Sequence, residues 1–326
     1  MRRIRRPVAL LLVLIATGIY LSNTNLLAPE RQGKPAILAH RGIAQQFETT
    51  DLTNDTCTAS RMLPPTNSYL ENTIASMQAS FEAGADAVEF DIHPTTDGQF
   101  AVFHDWTLDC RTNGIGVTRE HSMAELRTLD IGYGYTADGG KTFPFRGKGV
   151  GLLPSMAEVL RTFPERPFLI NVKSNDPAEG EKLAAALKSL PPPRRALLMA
   201  YGGDKPIETL RALLPDIRTM SRRSLKACLL RYMAYGWTGA VPAACNSMVV
   251  FVPVNVAPWL WGWPNLFLDR MGSVGSVVFV VGPYHGGDFS TGIDNSKDLA
   301  RLPKGYSGGV LTNETEIVVA WSRQRG

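Results

Sequence analysis

Residues 85 to 105 read Ala-Asp-Ala-Val-Glu-Phe-Asp-Ile-His-Pro-Thr-Thr-Asp-Gly-Gln-Phe-Ala-Val-Phe-His-Asp. Val88, Phe90 and Ile92 alternate with Glu89, Asp91 and His93, the period of an extended strand, so the three ionisable side chains share one face. Residues 95–98 carry a turn signal, and a second apolar run at 100–103 ends on His104 and Asp105. One hairpin therefore gathers two carboxylates and two imidazoles. Burying carboxylates costs several kcal/mol unless something pairs with them. A divalent cation is the simplest partner, and oxygen ligands two residues apart suit Mg²⁺ or Ca²⁺ better than zinc. The competing arrangement is an edge strand whose polar face lies in water.

Two further runs end on functional side chains. Residues 36–39 are apolar and stop at His40-Arg41-Gly42, and the run from residue 168 closes on Asn171-Val172-Lys173. A cation beside Arg41 and Lys173 would collect positive charge in one place, which suits a phosphate. Two histidines next to that phosphate could divide the acid and base work, one activating the nucleophile and the other protonating the leaving alkoxide. His93 shares the face of Glu89 and Asp91 but precedes Pro94, which makes it a supporting position. Glu71 opens a helix, where it would favour the dipole in any case.

The elements that must position these residues alternate regularly. Strands are expected at 36–39, 88–92, 168–173, 196–200, 217–220, 248–252, 277–281 and 309–311, with 100–103 as a hairpin extra. Helices are expected at 71–83, 154–163, 178–190, 207–214, 225–235, 259–271 and 315–322. Eight β/α units predict an α/β fold of the TIM-barrel type, (β/α)8, with chemistry at the carboxyl ends of its strands. A doubly wound sheet is disfavoured, because no glycine-rich phosphate turn follows the first strand. Residues 43–70 and 106–153 lack a clear period and read as inserted loops. In the stretch 259–271, Trp259, Trp261, Trp263 and Phe267 read mainly as helix packing against the barrel.

The chain begins Met-Arg-Arg-Ile-Arg-Arg, followed by the uncharged apolar run 7–20 and polar residues 22–25. This pattern reads as an export signal, and extended to residue 27 it is long enough for an uncleaved transmembrane anchor. The expected organisation is a signal peptide or signal anchor at 1–28, a linker at 29–35 and the barrel at 36–326. The basic end stays in the cytoplasm and the barrel faces the periplasmic or extracytoplasmic side, or is secreted if the signal is cut. The formal charge of +4 comes entirely from the four leading arginines, without which 30 basic residues balance 30 acidic ones. No basic surplus remains for nucleic acid. Cys57, Cys110, Cys228 and Cys245 show no Cys-x-x-Cys spacing. In an oxidising compartment, proximity suggests Cys228 with Cys245 and leaves Cys57 for Cys110, the alternative being four free thiols.

His40-Arg41-Gly42, Glu71-Asn72-Thr73, Val88-Glu89-Phe90-Asp91-Ile92, the Asp97-Gly98 turn and Val102-Phe103-His104-Asp105 resemble, in order, the signature of the glycerophosphodiester phosphodiesterases. The resemblance continues in Asn171-Val172-Lys173 and in Gly309-Val310-Leu311-Thr312-Asn313, where that family often has Thr-Asp. It implies a TIM barrel with a segment inserted after the hairpin. It also implies His40 and His104 as the acid/base pair, Glu89 and Asp91 as metal ligands, Arg41 and Lys173 on the phosphate, and Glu71 in support. The reaction implied is hydrolysis of a glycerophosphodiester to glycerol phosphate and an alcohol. Asn171 stands where the family usually has a third acidic ligand. Its amide oxygen can still bind Ca²⁺ or Mg²⁺, with one negative charge fewer and a weaker hold. Two other outcomes compete: a phospholipase-D-like enzyme of the sphingomyelinase D type acting on membrane lipids, and a catalytically silent barrel that binds phosphodiesters.

Overall fold

In the computed structural model, residues 2–25, 28, 31, 33–53, 56–286 and 291–324 are described. The strands are β1 (Ala36–His40), β2 (Ala87–Pro94), β3 (Phe100–Val102), β4 (Phe168–Val172), β5 (Leu198–Gly202), β6 (Arg218–Ser221), β7 (Val249–Pro253), β8 (Val277–Val281) and β9 (Gly309–Thr312). All but β3 run parallel, in the order β6-β5-β4-β2-β1-β9-β8-β7. A single parallel bridge from Thr219 to Met248 links the two ends of this order, so the eight strands form a nearly closed barrel. The extra strand β3 pairs antiparallel with β2 as the outer arm of the expected hairpin.

The helices are α1 (Arg2–Asn23), α2 (Ile74–Ala83), α3 (Met123–Thr128), α4 (Met156–Thr162), α5 (Pro177–Lys188), α6 (Pro192–Arg195), α7 (Asp204–Leu213), α8 (Arg222–Tyr235), α9 (Asn265–Ser273), α10 (Ser296–Leu299) and α11 (Thr315–Arg323). Their starts follow capping chemistry. Thr73 caps α2 through Ser76 N, and Ser122, Ser155 and Ser221 each form a capping box.

β2 is buried at all eight positions. Val88, Phe90 and Ile92 pack outward with Met77 and Phe81 of α2, while Glu89 and Asp91, both 0% exposed, lie opposite them. The edge-strand alternative therefore fails, because β1 and β4 flank β2 on both sides. The inserted loops build a separate small core from Met62, Leu70, Phe103, Leu108, Met123 and Phe145. A disulfide between Cys57 and Cys110 ties the two insertions together, and a second joins Cys228 of α8 to Cys245.

One expected helix is shorter than its sequence pattern suggested. Residues 257–259 make a 3-10 turn, and α9 starts only at Asn265. Gly262 adopts φ 78°, and the ring of Pro264 disfavours a helical residue before it, so the tryptophan stretch cannot join the helix. Phe267 and Trp263 pack inward against each other, whereas Trp259 and Trp261 are exposed.

The apolar residues of α1 stand largely in the open, and its carboxyl end is held to the barrel. Asn23 Nδ2 donates to Trp237 O at 2.8 Å, and Arg270 donates to Asn23 Oδ1 at 2.9 Å. Among the described residues no helix is long and apolar enough to cross a membrane. The linker expected at 29–35 falls partly outside the described residues.

Candidate active site

Strand register places the functional residues side by side at the carboxyl ends of neighbouring strands. His40 pairs with Glu89 across β1 and β2, Asp91 with Asn171 across β2 and β4, and Asn171 with Tyr201 across β4 and β5. Directly after β1, Arg41 sits at φ 64° and Gly42 at φ 84°. A Cβ on Gly42 would lie 2.3 Å from Ser76 Oγ, so the turn requires glycine. The turn brings Arg41 back over the site, with Nε 3.2 Å from Asp91 Oδ2 and Nη1 3.1 Å from Glu71 Oε1. Asn72, at φ 60°, donates from Nδ2 to Asp91 Oδ2 at 3.0 Å, and its backbone N–H donates to Arg41 O at 2.9 Å. Such left-handed non-glycine residues cost about 1–3 kcal/mol each and persist where the surroundings hold them. Here each of the two holds the other.

Asp91 and Glu89 have opposite electrostatic fates. Asp91 also accepts from Asn171 Nδ2 at 2.8 Å and lies 3.5 Å from Lys173 Nζ. Burial opposes its charge, but Lys173 and Arg41 outweigh burial and hold the carboxyl well below its usual range. Glu89 accepts from Tyr201 Oη at 2.8 Å through Oε1, while Oε2 is buried with no hydrogen-bond partner, 3.8 Å from His40 Nε2. Burial and the neighbouring Asp91 push its carboxyl up to about 8. A buried carboxylate oxygen without a partner fits a cation at this place. Among the described residues no group of three His, Cys, Asp or Glu side chains could hold a metal. The uncharged Asn171 amide, which pairs with Asp91 in register, stands beside these two carboxylates.

Each catalytic candidate histidine has its Nδ1 occupied. His40 Nδ1 lies 2.7 Å from Asn313 Oδ1. The Asn313 amide is oriented by Asp294, which accepts from its Nδ2 at 2.7 Å and from its backbone N at 2.7 Å. The amide oxygen thus faces the ring, the proton belongs on Nδ1, and Nε2 keeps its lone pair. Burial, then Arg41, lower the His40 pKa to about 3. His104 Nδ1 meets Asp105 Oδ1 at 2.7 Å, and Asp105 Oδ2 accepts from Arg111 Nε at 2.8 Å. Burial and Arg41 also lower the His104 pKa, opposed by Asp91 and the Asp105 hydrogen bond. Arg111, 2% exposed, further contacts Glu71 Oε2 at 2.9 Å, Tyr135 Oη at 2.6 Å and Thr58 Oγ1 at 2.5 Å. Glu71 thus bridges Arg41 and Arg111, and both insertions are tied to the histidine on β3's extension. His93, 1% exposed, lies with Nε2 3.3 Å from the His104 carbonyl, and burial lowers its pKa to about 4. It braces the backbone beneath His104.

His40, Arg41, His104 and Asn313 line one small cavity of about 50 Å³. His104, Asn171, Lys173 and Tyr201 line a larger one of about 760 Å³. Two imidazoles with free Nε2 atoms, two cationic side chains and a pair of buried carboxylates thus converge on the barrel mouth.

The sequence profile of the glycerophosphoryl diester phosphodiesterase family matches residues 40–190, the stretch that carries most of these side chains. A glycerophosphodiester phosphodiesterase of Caldanaerobacter subterraneus is 27% identical over 263 residues, covering 78% of this chain and 93% of its own. One of Bacillus subtilis is 34% identical over 173 residues, covering 51% of this chain and 49% of its own. Residues 40–190 carry the glycerophosphoryl diester phosphodiesterase domain, and the likeness to the Caldanaerobacter enzyme extends it over most of the chain. The protein is a phosphoric diester hydrolase. The barrel is also that of solved family structures. That of an Agrobacterium tumefaciens glycerophosphodiester phosphodiesterase has a TM-score of 0.57 at 20% identity, covering 89% of this chain and 99% of the other. That of an Oleispira antarctica phosphodiesterase, in complex with the product sn-glycerol-3-phosphate, has a TM-score of 0.54 at 17% identity, covering 89% and 97%.

Several side chains that shape the site carried little signal in the sequence. Asp105 and Asn72 adjoin His104 and Glu71, so their neighbourhood was visible but their partners were not. Arg111 and Asp294 lie in loops without a period. Tyr201 is one more aromatic at a strand end until the barrel turns it onto Glu89.

Proposed function

We propose that the enzyme hydrolyses glycerophosphodiesters to glycerol phosphate and an alcohol, with His40 as general base and His104 as general acid. The observation that carries this reading is the pair of Nε2 atoms freed toward one cavity by different Nδ1 partners. The neutral amide of Asn313 favours an imidazolium only weakly, and burial and Arg41 outweigh it, so His40 suits the role of base. The carboxylate of Asp105 favours a charged ring, so His104 suits the role of acid. In the step proposed, water's oxygen forms a bond to phosphorus while its proton passes to His40 Nε2. The bond from phosphorus to the alcohol oxygen breaks, and His104 supplies the proton to that oxygen. Arg41 and Lys173 bind the phosphoryl oxygens. A divalent cation, Ca²⁺ or Mg²⁺, would be held by Glu89, Asp91 and the amide oxygen of Asn171. When bound it supplies positive charge to the phosphoryl group.

An exported enzyme, tethered by its N-terminal segment, fits the arginine-led apolar run and the two disulfides. Retention of both oriented histidines disfavours a silent binder. The test is release of choline from glycerophosphocholine with Ca²⁺ or Mg²⁺ and with chelator. Full activity in His40→Ala or His104→Ala would reject the assigned roles.

A further inference from the structure

The place where α1 is fastened to the barrel is a corner rich in exposed aromatic side chains. Arg270 donates to Asn23 Oδ1 at 2.9 Å and to Ser22 O at 3.0 Å, and Asn25 Oδ1 accepts from the backbone N of Asn265 at 3.1 Å. Asn23 Nδ2 in turn donates to Trp237 O at 2.8 Å. The helix α1 therefore leaves the barrel between the end of α8 and the start of α9. Around that point Tyr235, Trp237, Trp259 and Trp261 are exposed, Trp259 by 74%. The corner belongs to the mouth. Trp261 Nε1 donates to Met233 O at 2.8 Å, and Met233 lines the larger cavity together with Leu230. Leu225 and Leu229 of α8, with Met220, Phe251 and Val281 at the ends of β6, β7 and β8, complete this apolar half of the mouth. Two bonds hold α8 here. Cys228 on its buried side is joined to Cys245, and Tyr232 Oη donates to Trp261 O at 2.8 Å.

From this arrangement we infer that the aromatic corner is a docking face for a lipid surface with anionic head groups, so that the barrel rests with its mouth against the bilayer instead of hanging free on its N-terminal segment. The inference rests on the tethered reading above and adds a second contact to it. Continuity selects this occupant. The apolar side chains from Leu10 to Ile15 of α1 are half or more exposed, and whatever covers that helix also reaches the rings at its foot. Tryptophan and tyrosine join an apolar ring to a polar N–H or O–H, and they are enriched where hydrocarbon meets water. Charge points the same way. The helix α8 carries Arg222, Arg223, Lys226 and Arg231 and no acidic residue, and Lys226 and Arg231 are exposed. Such a cluster attracts anionic head groups. A second copy of the chain, paired face to face, would set these like charges against each other.

The experiment uses the full chain. Residues 1–25 contain no tryptophan, so quenching of tryptophan emission by a bilayer reports the barrel and not its tether. The chain is mixed with vesicles of phosphatidylglycerol or of phosphatidylcholine whose acyl chains are brominated near the head group. Co-sedimentation measures the tether, and loss of emission measures the docking. Emission should be quenched in the bound chain, more in phosphatidylglycerol than in phosphatidylcholine. Trp237→Phe and Trp259→Phe should each remove part of the quenched emission, because phenylalanine keeps the apolar contact and deletes the reporter. Trp321→Phe, near the close of α11 and away from the mouth, should leave the quenched part unchanged. Lys226→Gln and Arg231→Gln should each weaken docking to phosphatidylglycerol about fivefold. Should a variant fail to fold, the wild-type quenching decides alone. A chain that sediments with the vesicles while its tryptophans stay unquenched overturns the inference and keeps the tether, and a dimer under the same conditions gives the face to a second copy. Quenching no greater in phosphatidylglycerol overturns the anionic surface. A chain that does not sediment with vesicles overturns tether and inference together, and release of choline from glycerophosphocholine, followed in parallel, judges the hydrolase reading apart from both.

Discussion

Replacing Arg111 with methionine tests whether the insertions hold His104, the proposed acid, in place. Arg111 is 2% exposed and contacts Glu71, Asp105, Tyr135 and Thr58. Without the guanidinium, Glu71 keeps Arg41 at 3.1 Å and Asp105 keeps His104 at 2.7 Å. The loss is therefore that of one buried pair, about 3–5 kcal/mol, and not of two. For a chain of 326 residues that lowers Tm by roughly 4–7 °C. The effect depends on pH with a definite sign. Arg111 holds both Glu71 and Asp105 below their usual range. Their contribution is fully present above the unfolded carboxylate pKa, about 4, and is lost as pH falls below it. The gap between wild type and Arg111→Met should accordingly be widest near pH 7 and shrink as the acid limb is entered. His104 keeps its Asp105 partner, but with Arg111 Nε gone from Oδ2 that carboxylate is held from one side only and fixes the ring less firmly, so kcat should fall by about 10–100-fold with KM little changed. Calorimetric melts at several pH values together with steady-state kinetics check both. A Tm within about 1 °C of wild type, or a gap that does not change with pH, would refute the electrostatic account.

Asn313→Ala removes the oxygen that fixes the His40 tautomer and should cost about 10–100-fold in kcat, with a loss of stability of about 1–3 kcal/mol because Asp294 Oδ2 also loses its amide partner. Asn171→Asp replaces a donor 2.8 Å from Asp91 with a third carboxylate. It should lower Tm in chelator, raise it with added Ca²⁺ and tighten the cation dependence of activity, and a melt indifferent to Ca²⁺ would count against the site. Reducing the disulfides, which close loops of 53 and 17 residues, should cost about 4 and about 3 kcal/mol by loop entropy. Loss of the Cys57–Cys110 bridge should in addition slow turnover, because it staples the insertions that Arg111 ties to Asp105. Each Cys→Ala pair can be followed by denaturant unfolding and kinetics.

Local pattern was enough to place the strand-end residues. Alternation in residues 87–94 set Glu89 and Asp91 on one face, and the eight β/α units called for the barrel that brings strand ends together. Pairings of near neighbours were equally legible, as with Cys228 and Cys245, 17 apart. Only the tertiary structure decided which partner each polar atom meets. His40 and Asn313 are 273 residues apart, and Glu89 and Tyr201 are 112 apart. Periodicity reports the face a side chain takes within its own element, whereas its hydrogen-bond partner depends on how the barrel closes. The same reason hid the apolar half of the mouth. Leu225, Leu229 and Met233 follow an ordinary helical spacing, and they line an open groove because of where α8 is tethered over β6 to β8.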